Sequence, residues 1–191
     1  MKWHERMSVG TWLLVGAALI ASQALALLAM GQPPICACGY VRFWGGIVSG
    51  PETSQQLTDW YTYSHVIHGI GFYFALWFVA PRVPVTIRFI LALGLEVGWE
   101  IFENTPFIIE RYRQLALAQG YFGDSIVNSV SDTMASAFGF LLARTLPARA
   151  TVALAISVEL FTAFMIRDNL TLNVIQLIHP IEAISRGQTG Q

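Results

Sequence analysis

The chain is short of charge. Of 191 residues only 11 are Lys or Arg and 12 are Asp or Glu, so charged side chains make up 12% against 54% hydrophobic. Soluble domains carry roughly 25% charged residues, and a chain this apolar has more greasy surface than one soluble core can bury, so the excess must face lipid. A formal net charge of −1 with so few bases leaves no footprint for nucleic acid, and a nucleic-acid role is excluded. Cysteine is nearly absent as well: Cys36 and Cys38 alone can make neither a disulfide framework nor a four-cysteine zinc site. Their one-residue spacer differs from the thioredoxin-like motif, leaving either a tight local disulfide or two free thiols. Internal repeats and low-complexity stretches are also lacking.

What is present is a series of long apolar runs. No charged side chain occurs between Arg6 and Arg42, and Val9 to Met30 is almost wholly apolar, long enough for the about 20 residues that cross hydrocarbon. Lys2 and Arg6 followed by Ala24-Leu25-Ala26 resemble a signal peptide, but the run exceeds the usual ~7 to 15 residues of a signal peptide's apolar region, so a retained anchor is expected. Further runs cover about 63–80, 87–102, 125–143 and 151–166, separated by Pro33-Pro34, Pro81 with Pro84, Pro106 and Pro147. The expected fold is therefore all-α: one polytopic transmembrane helical domain over 1–191, with about five spanning helices. Beyond them Leu170, Val174, Leu177, Ile178 and Ile181 recur at helical spacing opposite Asn169, Asn173 and Gln176. This pattern predicts an interfacial amphipathic helix over about 169–179, or else an extension of the fifth helix.

Counting bases orients the chain. With the N-terminus in the cytoplasm, the short inner segments hold Lys2, Arg6, Arg82, Arg88, Arg144 and Arg149, while the longer outer segments hold Arg42, Arg111, Arg113, Arg167 and Arg186. Trp44, Trp60, Tyr61, Tyr63, Tyr112, Tyr121 and Phe122 then gather on the outer side, where an interfacial aromatic belt belongs.

Ionisable groups within apolar helices are expensive, so each needs a reason. His65 and His68 share one helix face by their spacing of three; Glu96, Glu100 and Glu103 share another; Asp124, Asn128, Ser131 and Asp132 form a third stripe. All three fall at one depth beneath the outer face, and Glu159 reaches the same level. His65, His68, Glu96, Glu100, Asn128 and Asp132 are expected to converge in one outward-opening polar cavity. Candidate catalytic groups are His65, His68, Glu96, Glu100 and Asp132. Of these His65, His68, Glu100 and Asp132 are also candidate ligands for a divalent metal, and Asn128, Arg111, Arg113 and Arg167 are candidate binding residues. Simpler readings stand beside these. Asp124 after Gly123 reads as a helix N-cap, Glu103-Asn104-Thr105-Pro106 reads as a helix end with its carboxylate in water, and the acids can pair with Arg111, Arg113 or Arg167 to knit the bundle. Asn169-Leu170-Thr171 matches a glycosylation sequon only formally.

Taken as a set, Cys36-Ala37-Cys38-Gly39, Asp59-Trp60-Tyr61-Thr62 with Ser64-His65 and His68-Gly69, Glu96 through Trp99-Glu100 to Glu103-Asn104, Arg111-Tyr112-Arg113, Gly123-Asp124-Ser125 with Asn128-Ser129, and Arg167-Asp168-Asn169-Leu170 resemble one bacterial family. It is the uncharacterised protein family numbered three hundred and fourteen, a domain-of-unknown-function family, and the likeness runs from Cys36 to about Pro180. The resemblance implies a multi-pass protein of the bacterial cell (inner) membrane and carries no activity with it. Two functional readings follow from the residues. One is a metal-dependent or acid–base enzyme working on a membrane lipid or lipid-linked substrate. The other is a non-enzymatic transporter, proton or ion pathway, or assembly partner.

Overall fold

The structure is a computed structural model and describes residues 8–189; Lys2 and Arg6, which help orient the chain, lie outside these. Eight helices and one minimal strand pair make up the described chain. The first helix, α1 (Val9–Ala29), starts where the Ser8 hydroxyl accepts the Thr11 amide. A long loop follows, closed on itself by a parallel pairing of β1 (Trp44–Gly45) with β2 (Thr58–Asp59). Then come α2 (Thr62–Val79) and α3 (Val85–Glu103), the latter entered through Pro84. After a short α4 (Pro106–Arg113), the helix α5 (Ile126–Thr145) is capped by Ser125, and α6 (Ala148–Ile166) is entered through Pro147. Two short helices, α7 (Leu170–Ile178) and α8 (Glu182–Thr189), end the described chain.

The fold is all-helical, and α1, α5 and α6 are long and apolar enough to cross a membrane. The helices α2 and α3 are of similar length, but His65 and His68 dilute the first and Arg88, Glu96 and Glu100 the second. Large apolar side chains point outward all along the bundle, among them Leu13 and Leu14 of α1, Phe78 of α2 and Phe164 of α6. Many of the buried side chains are polar instead, among them Gln23, Glu96, Glu100, Asn128 and Thr133. A soluble domain arranges the two classes the other way round.

What sets the bundle's tightest contact is glycine. A Cβ at Gly69 of α2 would lie 1.8 Å from the Ser136 carbonyl oxygen of α5, and one at Gly139 of α5 would lie 2.0 Å from that of Val66. The two backbones approach as only small residues allow, the usual solution where helices pack inside lipid. His65 stands four residues before Gly69, and Asp132 four before Ser136, so this crossing brings His65 and Asp132 to the same level.

Three local expectations are corrected. Pro106 does not merely separate two helices; it occupies the first turn of α4, where its missing N–H costs nothing. Asp124 is not the cap of α5, a role taken by Ser125, whose side chain accepts the Asn128 amide at 3.2 Å. The amphipathic segment does not prolong α6, because Arg167 adopts a left-handed conformation (φ 58°) that ends that helix, and Asn169 caps a new one. In addition α8 has no counterpart in the sequence reading.

Candidate functional site

The site is built around His65. Its Nδ1 lies 2.5 Å from Glu96 Oε1 and 3.2 Å from Glu100 Oε1, and its Nε2 lies 3.8 Å from Asp132 Oδ2. One turn on, His68 places its Nδ1 3.3 Å from Glu96. Three helices thus supply one cluster, α2 the imidazoles, α3 two carboxylates and α5 the third, and all but His68 are buried.

Hydroxyls and amides complete the carboxylates. Thr62 Oγ1 donates to Asp132 Oδ1 (2.7 Å) and Ser129 Oγ to Glu100 Oε2 (2.6 Å). Gln23, fully buried in α1, donates to Ser129 Oγ (2.7 Å) and accepts from Thr133 Oγ1 (2.8 Å). Even so, Glu96 Oε2 and Glu100 Oε1 are buried without a hydrogen bond of their own. No Lys or Arg pairs with these acids among the described residues. A buried carboxylate is costly unless paired or fully hydrogen-bonded, so the cluster as a whole is short of positive charge.

Beside it lies a cavity of about 50 Å³. At 10–15 Å³ of such space for each water, it has room for about three to five, or for a hydrated ion. His65, His68, Glu103, Asp124 and Asp132 line it, with Trp99, Tyr61, Tyr112 and Tyr121 forming aromatic walls and Leu170 and Asn173 of α7 closing one side. Glu96 and Glu100 stand behind the imidazoles and do not line it. Two three-residue groups bring possible metal-ligand atoms within 4.8 Å of one another, His65–His68–Glu96 and His65–Glu100–Glu103.

The remaining sequence candidates divide. Asn128 turns its amide to the Gln56 carbonyl (2.8 Å) and pins the long loop to α5, away from the cavity. Arg111 donates to the Leu177 and Ile178 carbonyls (2.8 and 3.0 Å), completing the C-terminus of α7. Arg113 and Arg167 are exposed. Glu159 accepts from the Leu170 and Thr171 amides (3.0 and 3.1 Å), so it caps α7 and has no part in the cluster. Helix α3 ends where expected, but Glu103 faces the cavity and Asn104 is buried. Cys36 and Cys38 form a disulfide.

Several residues around the site were not among the candidate catalytic, metal or binding groups, although Asp124 shares the Asp132 stripe. Asp124 is held by Asn104 Nδ2 (2.6 Å) and the Tyr121 hydroxyl (2.9 Å), and burial pushes its carboxyl up to about 6 against those two bonds. Asp168 accepts from the Asn169 amide, Gln188 and the Tyr61 hydroxyl, and burial likewise raises it to about 6. Burial also pushes the Tyr61, Tyr112 and Tyr121 phenols well up, so these walls act as neutral hydrogen-bonding groups. Gln23 did carry a signal, as the one long polar side chain in the otherwise apolar α1.

Comparison with known proteins gives the chain its relatives. A UPF0314 protein of Sphingopyxis alaskensis is 51% identical over 93% of this chain and 94% of its own length. One from Rhizobium meliloti is 50% identical over 94% and 91%, and one from Brucella anthropi is 48% identical over 97% and 93%. No solved structure matches. A family model described as a protein of unknown function (DUF2585) matches residues 27–190, which include every residue of the His65 cluster and all of its supports except Gln23. On that coverage and those identities, the chain belongs to the UPF0314 family.

Proposed function

We propose that the chain is a five-span protein of the bacterial inner membrane, one domain throughout with its N-terminus in the cytoplasm, and that the His65 cluster binds a divalent metal for acid–base chemistry on a lipid or lipid-linked substrate at the outer face. Supporting five spans, α2 and α3 have 18 and 19 residues. At 1.5 Å per residue this is about 27 to 29 Å, close to the ~30 Å hydrocarbon core. Supporting a retained first helix, the Gln23 bonds to Ser129 and Thr133 tie α1 into the wall of the site.

The observation that carries the functional reading is the uncompensated acidity around two imidazoles. Glu96, Glu100 and Asp132 surround His65, two buried carboxylate oxygens lack hydrogen bonds, and no Lys or Arg answers them among the described residues. A divalent cation with His and carboxylate ligands resolves that imbalance. It also supplies a Lewis acid, with Asp132 and Glu103 on the cavity wall placed to take or give a proton to a bound molecule. A proton or ion pathway fits less well, because beyond Gly69 and Gly139 the buried residues are Ile70, Ala92, Leu93, Phe140 and Ala143, and the charged group with buried atoms there among the described residues, Arg88, stays protonated and relays no proton.

Metal analysis of the full-length protein in detergent, after loading with zinc or manganese and removal of the excess, tests the reading. About one ion per chain is expected, falling below a tenth of that in Glu96→Gln and His65→Gln while both variants still melt cooperatively. Metal-free wild-type protein after loading overturns the metal, and unchanged occupancy in both variants overturns the site.

A further inference from the structure

The long loop between α1 and α2 holds a second site of different chemistry. Cys36 and Cys38 are joined across a single residue, closing a very small disulfide loop. Loop-closure stabilisation grows with the logarithm of the residues enclosed, so this bond adds less to the fold than a bridge between distant segments. The segment is held instead by other bonds. Ala37 N donates to Gln55 Oε1, Arg42 N to Gln56 Oε1, and the Gln55 side chain continues to the Gly123 carbonyl.

The two sulfurs are placed differently. Cys36 is 2% exposed, whereas Cys38 is exposed at the surface of the loop. The Cys38 backbone amide donates to Cys36 Sγ at 3.1 Å, so a thiolate on Cys36 finds a hydrogen-bond donor already in position. Disulfide exchange is governed by access to the attacked sulfur and by the stability of the departing thiolate. Gln56 Nε2 also donates to Cys38 Sγ, at 3.5 Å, so the two sulfurs differ in access and in the closer backbone donor: Cys38 is the accessible sulfur and Cys36 the more closely held leaving group. We propose that Cys36–Cys38 is a thiol–disulfide exchange site that takes a low-molecular-weight thiol.

The step balances. The thiolate of the incoming thiol, its proton lost to water, attacks Cys38 Sγ; the Cys38–Cys36 bond breaks, and Cys36 leaves as the thiolate and takes up a proton. A second thiol molecule attacks the incoming group's sulfur in the mixed disulfide, releasing the small disulfide and Cys38 as a thiol. Two thiols are oxidised and one protein disulfide is reduced. Glu52, with a carboxylate oxygen within 4.8 Å of both sulfurs, disfavours an anionic thiol, so the substrate class is a neutral or cationic one.

The test uses the full-length protein in detergent with cysteamine as the thiol, followed by alkylation and peptide mass analysis without prior unfolding. The expected result is a cysteamine adduct on Cys38 and none on Cys36, and two alkylatable thiols per chain at higher cysteamine. With single-cysteine variants, Cys36→Ser is expected to react with cystamine at least tenfold faster than Cys38→Ser. Glu52→Gln is expected to raise the rate of wild-type reduction by 3-mercaptopropionate more than that by cysteamine. Three results overturn the proposal: a disulfide that yields no adduct until the protein is unfolded, an adduct on Cys36, or equal rates in the two cysteine variants. Because the wild-type adduct is read directly, misfolding of either variant leaves that arm intact.

Discussion

Asp168 gives the most direct check on the electrostatics of the end of the bundle that carries the site. Its side chain is 3% exposed and lies outside the long helices, between α6 and α7. Burial raises its carboxyl from 3.8 to about 6, opposed by hydrogen bonds from the Asn169 amide, Tyr61, Asn173 and Gln188. The folded state therefore holds its proton more tightly than the unfolded chain does. The favourable part of that difference is fully present below pH 3.8 and is lost as pH rises through about 6. At ~1.4 kcal/mol per pH unit, the two-unit gap amounts to about 3 kcal/mol of destabilisation above pH 6, good to order of magnitude. Asp168→Asn removes the titration while keeping the bonds to Asn169, Gln188 and Tyr61. The amide oxygen still accepts from the Asn169 amide and Gln188, and the Tyr61 hydroxyl can rotate to accept from the new amide nitrogen. Thermal melts in detergent between pH 4 and pH 8 should show wild-type stability falling across pH 4 to 6.5 more steeply than that of Asp168→Asn, with the variant the more stable by up to ~3 kcal/mol at pH 7.5. Parallel pH profiles, or a variant less stable than wild type at pH 7.5, would refute the reasoning.

Three further outcomes are expected. Gly139→Ala must push α5 from the Val66 carbonyl, which its Cβ would meet at 2.0 Å, and should lower stability by ~1–3 kcal/mol. Gly71→Ala on the open side of α2 should cost nothing, and equal melting points for the two would refute the crossing. Gln23→Leu forfeits two buried hydrogen bonds; since such bonds average ~0.6 kcal/mol inside membranes, the fall should be about 1 kcal/mol, and an unchanged melt would show that α1 packs without them. In a chain carrying Cys36→Ser and Cys38→Ser, Gln119→Cys should be labelled by an impermeant maleimide in intact cells and Arg82→Cys only after permeabilisation; the reverse pattern would invert the topology.

Much of the helical framework was legible because long apolar runs have few alternatives. The observed α1, α2, α3, α5 and α6 begin and end within three residues of the expected runs. Pro84 and Pro147 mark helix starts for the same reason, that a proline needs no partner there. Pro106 does lie between the expected runs, and the same property lets it open a short helix of its own, α4. Shared faces were also legible, since spacings of three and four place His65 with His68 and Glu96 with Glu100 on any helix. What spacing cannot give is which faces meet, and that was settled by Gly69 and Gly139, residues with no chemistry of their own. Asn128 illustrates the limit: it sits on the same stripe as Asp132, yet one turn nearer the helix start it meets Gln56 of the long loop. The basic candidates lie elsewhere than the cluster. Arg111 completes the end of α7, a segment that the sequence alone could not bring beside α4.

The division of α2 and α5 at their crossing also explains why the polar cluster is tolerable at all. Inward of Gly69 and Gly139 the contacts are tight and apolar, with Phe140 wedged edge-on between Tyr73 and Phe89 at centroid distances of 5.1 and 5.3 Å. That half supplies the packing that holds three helices at fixed spacing. On the cluster's side of the crossing the same spacing leaves room for side chains to hydrogen-bond across it, so part of the cost of each buried carboxylate is offset by a neighbour from a different helix, Thr62 for Asp132, Ser129 for Glu100 and the imidazoles for Glu96, while Glu96 Oε2 and Glu100 Oε1 are left for a cation to answer. If the glycines hold that geometry, widening the crossing should disturb the cluster before it unfolds the bundle. Gly69→Ala should therefore lower metal occupancy at temperatures where the helices remain intact by circular dichroism. Loss of metal and helix together, in one transition, would mean that the cluster and the apolar half form a single cooperative unit.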